Sequence, residues 1–65
     1  MWISTIDSLP PEGSVVKTMI DEGTKDGPRL IRILVRKGSL WFHTDMNSYV
    51  YYVPTHWRYP DIDDK

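Results

Sequence analysis

Two histidines, four arginines and a set of tyrosines and tryptophans are the residues here with chemical potential. His43 and His56 could ligate a metal together with Asp45 or a carboxylate of the acidic end. A catalytic or labile site takes about three protein ligands, and two histidines at unrelated spacing form no such motif. The plainer reading is a cross-strand His43 and a turn-stabilising His56. Serine, histidine and aspartate are all present, but no Gly-x-Ser-x-Gly elbow and no glycine-rich phosphate loop marks an activated nucleophile. A chain of 65 residues is also short for a cleft that excludes water. The expectation is no enzyme activity, no metal and no cofactor.

The remaining chemistry is that of binding. Arg29, Arg32, Arg36, Lys37 and Arg58 could form a basic surface with Trp41, Tyr51, Tyr52 and Tyr59 interleaved. Cations among exposed rings suit single-stranded nucleic acid, because bases stack on the rings while phosphates meet the charges. Nine acidic residues offset eight basic ones and leave a net charge of -1, which argues against a bulk electrostatic grip on a polyanion. The same residue types are those most enriched among protein-binding hot spots. Eight aromatic rings are more than one face of so small a core hides, so some are exposed or covered by a partner or a second copy. The surface expected to bind combines Arg32, Arg36, Trp41, Tyr51, Tyr52 and Arg58.

The elements that must position these residues read as mostly β. Val, Ile, Thr, Trp, Tyr and Phe make up 24 of 65 residues, while alanine and glutamine are absent. Branched and aromatic side chains lose rotamer freedom on a helix and pack well on a pleated surface. Five prolines and four glycines punctuate the chain at intervals that suit short strands. With no cysteine, no disulfide can supplement the core. A chain this short buries only roughly 60% of the surface its unfolded form exposes. No apolar run approaches the roughly 20 residues of a membrane span, and the opening Met1–Asp7 has neither the basic start nor the apolar stretch of a signal peptide.

Residues 1–14 read as a turn-rich lead-in, with Ser4 and Asp7 suggesting one capped helical turn and Pro10 and Pro11 ending it. Trp2, Ile3 and Ile6 are apolar enough to lie on the sheet. Residues 15–21 are a strand and 22–28 a loop broken by Asp26-Gly27-Pro28. Residues 29–37 are the strongest strand, with Ile31, Ile33 and Val35 on a core face and Leu30, Arg32, Leu34 and Arg36 on the other. Lys37-Gly38-Ser39 is a tight turn into a strand at 40–44. A polar turn follows, then a strand at 49–53 that Pro54 stops. The whole is a single-domain antiparallel meander of three to four strands over residues 1–60. Its rhythm of a long loop, two hairpins and a proline-containing turn is that of a small SH3-like barrel. Residues 61–65 are an acidic, frayed tail.

Trp2-Ile3, Leu9-Pro10 and Gly13 open the chain, Val15-Val16 follow, Trp41 stands mid-chain, and Thr55-His56-Trp57 with Pro60 close it. This arrangement resembles the short phage and prophage proteins grouped as domain of unknown function 551. Their pattern opens with Trp-Ile, a Leu-Pro and a Gly, and closes with Thr-His-Trp and a proline-rich tail. Arg58-Tyr59-Pro60-Asp61 departs from the apolar ending usual there. The resemblance implies a phage or prophage origin and a bacterial cytoplasmic setting, and transfers no catalytic residue. Physically it places Trp2 and Trp57 as anchors that pack the two termini, with Leu9 and Pro10 as further structural residues. The reading is a small accessory protein, monomer or homodimer and not membrane-bound, that binds a host or phage protein and so inhibits a host process. The alternative is a small nucleic-acid-binding module on the same surface.

Overall fold

A computed structural model describes residues 1–61. Apart from Asp61, the acidic tail expected at 61–65 lies outside the described residues. Five strands form one antiparallel sheet: β1 (Ile3–Ser4), β2 (Val15–Ile20), β3 (Arg29–Lys37), β4 (Leu40–His43) and β5 (His56–Arg58). Their order is β1-β5-β2-β3-β4. The domain is mostly β, and no helix of the described residues is long and apolar enough to cross a membrane.

The central meander β2-β3-β4 follows from hydrophobic alternation and turn chemistry. Val16 stands opposite Leu34 and Lys17 opposite Ile33, and β3 returns into β4 with Val35 opposite Phe42 and Arg36 opposite Trp41. Gly38 makes that return in the left-handed region, at φ 61°, where glycine meets no Cβ penalty. Its N–H donates to Glu12 Oε1 at 3.0 Å. The outer edge of β2 is taken by β5, with Thr18 opposite Trp57, and β5 in turn by β1, with Ile3 opposite Trp57. The two ends of the chain are thus adjacent strands.

The core is small: Val16, Leu34, Trp41 and Trp57, with Ile3 and Val50 packed against it half-buried. Thr18 is buried among them and satisfies its hydroxyl by donating to the Arg32 carbonyl at 3.1 Å. Trp57 buries its ring and keeps its indole N–H paired with the Ser8 carbonyl at 2.9 Å, as a buried indole requires. Tyr59 meets it edge-on, ring centroids 5.4 Å apart. Trp2, by contrast, lies under the Arg58 guanidinium, 5.7 Å from its ring centroid. The two termini are joined by strand pairing, with Trp57 in the core and Trp2 against its neighbour Arg58. Pro10 is buried while Leu9 is exposed.

Several expectations change. Residues 49–53 are not a strand: only Tyr49 bridges, to Phe42, and Val50 N–H donates to the Trp41 carbonyl at 2.9 Å. The chain must then leave the edge of β4 to reach β5 on the far side of β2, so its alternating residues cannot extend a ladder. The strand that replaces it, His56–Arg58, is three residues between Pro54 and Pro60, too short for alternation to announce. The face taken as core in β3 is also only partly so. Val35 is buried, but Ile31 is 51% exposed and Leu34, on the opposite face, is fully buried. Leu34 clusters instead with Val16, Trp41 and Trp57 of the neighbouring strands, and Val50 packs against that cluster. Near its start β3 also carries a bulge: Thr18 faces Arg32 and Ile20 faces Arg29, so two residues of β2 span three of β3, and Leu30 sits at φ 53°. A bulge interrupts the period of two on which face assignment depends. Of the apolar lead-in, Ile3 joins the sheet and Ile6 is exposed. The expected turn there does form, with Ser4 Oγ accepting from Ile6 N–H at 3.2 Å and the Ser4 carbonyl from Asp7 and Ser8.

Candidate functional site

The stretch 49–52 that failed to become a strand forms one wall of a groove of about 380 Å³. Facing it are Leu30 and Arg32 of β3 and His43 at the end of β4. Two features of the chain make this opening. β4 ends at His43, so β3 from Arg29 to Ile33 has no β4 residue opposite it. The connection to β5 then passes over the gap rather than filling it. The volume lies within the range of small ligand clefts, roughly 300–1,000 Å³. A smaller cleft of about 180 Å³ opens on the other side of the same stretch, against Ser39–Trp41.

The rings in this wall are ordered against one another. Phe42 and Tyr49 lie 5.7 Å apart and tilted, and Tyr49 and Tyr51 lie 5.4 Å apart and edge-on. Both spacings suit favourable aromatic pairing. Tyr51 is 93% exposed, and Leu30 and Tyr49 beside it on the groove are also exposed. Large apolar side chains gathered in one region of surface, unlike singly scattered ones, mark interaction sites. The Tyr52 hydroxyl is buried with no hydrogen-bond partner among the described residues, a loss of about 1–3 kcal/mol. Leu30 adds backbone strain beside the groove, because a left-handed conformation costs a side-chain-bearing residue roughly 1–2 kcal/mol.

Of the six residues expected to bind, the fold brings three together here: Arg32, Tyr51 and Tyr52. The other three lie elsewhere. Trp41 is buried in the core. Arg36 is half-buried and donates through Nη1 to the Pro10 carbonyl at 2.8 Å, while its main chain pairs with Gly13 and Ser14. Arg58 is held between the Trp2 ring and Asp61, 2.5 Å from Oδ2. Arg29 pairs with Glu22 at 3.0 Å. Of the four arginines, Arg32 alone has a guanidinium with no hydrogen bond or ion pair among the described residues.

Leu30, His43 and Tyr49 belong to the groove and were not expected at a binding surface. Tyr49 carried a signal, as a third tyrosine two positions from Tyr51. Leu30 carried none, since a bulge cannot be read from a single leucine. His56 is engaged otherwise, its Nδ1 2.8 Å from Thr55 Oγ1. Among the described residues no three His, Asp or Glu side chains gather as metal ligands would.

The residues that carried the family resemblance mostly hold the frame. Pro10 accepts from Arg36, and Gly13 at φ 83° aims its N–H at the Arg36 carbonyl, 2.6 Å away. Thr55 ties β1, β2 and β5 together. Its carbonyl accepts from Thr5 N–H at 2.9 Å, its N–H donates to Met19 at 3.0 Å, and its hydroxyl accepts from Asp21 N–H at 2.8 Å. Comparison of the chain with family models, with curated proteins and with solved structures finds no match.

Proposed function

We propose that this chain is a small binding module that docks a protein partner on the tyrosine-lined groove between β3 and residues 49–52. The observation that carries this reading is the gathering of exposed Leu30, Tyr49 and Tyr51 around one opening with Arg32, whose guanidinium has no hydrogen bond or ion pair among the described residues. Tyrosine and arginine are the anchors that dominate binding energy at protein interfaces. Together with the resemblance to short phage proteins, this supports an accessory protein that acts in the cytoplasm of a bacterial host. There it binds a host or phage protein and inhibits by occlusion. The chain acts as a monomer or as a symmetric dimer.

A nucleic-acid-binding module is the second reading, favoured by Arg32 standing beside exposed Tyr49 and Tyr51. One arginine at the groove, in a chain of net charge -1, supplies little of the counterion release that drives such binding. The experiment is capture from lysate of a phage-infected bacterium, with and without nuclease, using the natural chain and Tyr51→Ala. A protein band that survives nuclease and is lost with Tyr51→Ala bears the first reading out. Loss of all captured material on nuclease treatment favours the second. A band equally retained by Tyr51→Ala places binding away from the groove and refutes the proposal.

A further inference from the structure

We infer that the groove recognises an acidic segment of its partner: a glutamate or aspartate side chain flanked by apolar residues, with the carboxylate on Arg32 and the apolar neighbours against Tyr49, Tyr51 and Leu30. This rests on the protein-docking reading and names the chemistry of the partner. Three observations carry it. Arg29 and Arg58 already have carboxylates and Arg36 a carbonyl, whereas the Arg32 guanidinium has none among the described residues. The lining of the groove contains no acidic side chain, only Arg32 and His43 among its titratable members besides tyrosine. Its remaining surface is aromatic and aliphatic, so it rewards apolar contact as well as charge.

The fold holds Arg32 in readiness. Its carbonyl is pinned by Thr18 Oγ1 at 3.1 Å, and its Cα is in register with Thr18 on β2. The strand therefore fixes where the side chain starts, and because β4 pairing ends with His43 opposite Leu34, no β4 residue stands opposite Arg32. A guanidinium offers paired parallel donors to a carboxylate, a geometry that a lysine would not reproduce. A phosphodiester chain is the poorer fit, because it presents charges in series and this groove answers with one arginine.

The test is an NMR titration of the isotopically labelled full chain with two synthetic peptides, acetyl-Val-Glu-Leu-Glu-Val amide and its glutamine counterpart, and with an oligothymidylate. The glutamate peptide is expected to shift the amide signals of residues 29–32, 43 and 49–52 and to bind about fivefold more tightly than the glutamine peptide, the worth of one partly exposed ion pair. Arg32→Gln should abolish that preference and Arg29→Gln should keep it, with the spectra of both variants confirming the native fold. Equal binding of both peptides at the groove overturns the acidic specificity and leaves the docking site standing. Absence of shifts at these residues with either peptide overturns the inference, while the nuclease-resistant capture above still judges the docking reading. Shifts with oligothymidylate alone overturn both.

Discussion

At one end of the sheet, Thr55 and Trp57 tie β1, β2 and β5 into a seam in which ring and hydroxyl alike have partners. At the other, residues 49–52 run beside β3 with the rings of Tyr49 and Tyr51 exposed and the buried Tyr52 hydroxyl unmatched among the described residues. Both regions are short, aromatic and threonine- or tyrosine-rich. They differ in what the chain must do next. At the seam a strand lies in register against two neighbours, so its polar backbone groups are paired and its indole is covered. At the groove the chain is in transit across the sheet, and exposed rings remain along it. On the function proposed above, stability resides in the first region and recognition in the second, and substitutions should divide accordingly.

Trp57→Ala should have the largest effect. Removing a buried tryptophan costs about 3–5 kcal/mol, against a total stability of roughly 0.05–0.15 kcal/mol per residue, so the variant should show no cooperative thermal transition by circular dichroism. An unchanged melting midpoint would remove the seam from the account. Thr55→Val comes next. It keeps the shape but strips the hydroxyl that accepts from Asp21 N–H, and urea unfolding should show a loss of about 1–3 kcal/mol. A loss no larger than that of a surface substitution would mean that the hydroxyl is not what ties the strands.

Leu30→Gly should act in the opposite direction. It relieves a left-handed leucine at roughly 1–2 kcal/mol and loses roughly 0.5–1 kcal/mol to greater freedom in the unfolded chain. A net gain of up to about 1.5 kcal/mol in the same urea measurement is expected, together with weaker partner binding. A clear destabilisation would show that the leucine side chain supports the fold. Arg32→Gln should leave stability within about 0.5 kcal/mol, because its guanidinium has no hydrogen bond or ion pair among the described residues. A larger loss would make Arg32 a structural arginine like Arg36.

The frame was more legible in the amino-acid order than the site. Alternation in Val15–Ile20 and the turn at Gly38 announced the central hairpins, because period two and a glycine turn are local properties. Trp57 was legible as an anchor, a large apolar side chain near the end of a small chain. Residues 49–53 misled because Tyr-Val-Tyr-Tyr-Val has every local mark of a strand; what overrides them is the distance the connection must cover to reach β5. The face of β3 misled because the tryptophans of β4 and β5 cluster with Leu34, and because a bulge beside Ile31 breaks the alternation. Arg32 could not be separated from Arg36 and Arg58 until the fold assigned the latter two a carbonyl and a carboxylate. Only then did the unengaged arginine among four stand out.

The most direct measurement of this division is Tyr51→Ala, read twice on the same preparation. Its ring is almost wholly exposed, so its melting midpoint should match that of the natural chain within about 2 °C, given that 1 kcal/mol moves the midpoint of a domain this size by about 4–8 °C. Its nuclease-resistant capture of a protein partner should fall at least about tenfold, the loss of one interface anchor. A lowered midpoint with capture intact would contradict the account, since it would make the tyrosine wall part of the frame rather than the place where the molecule binds.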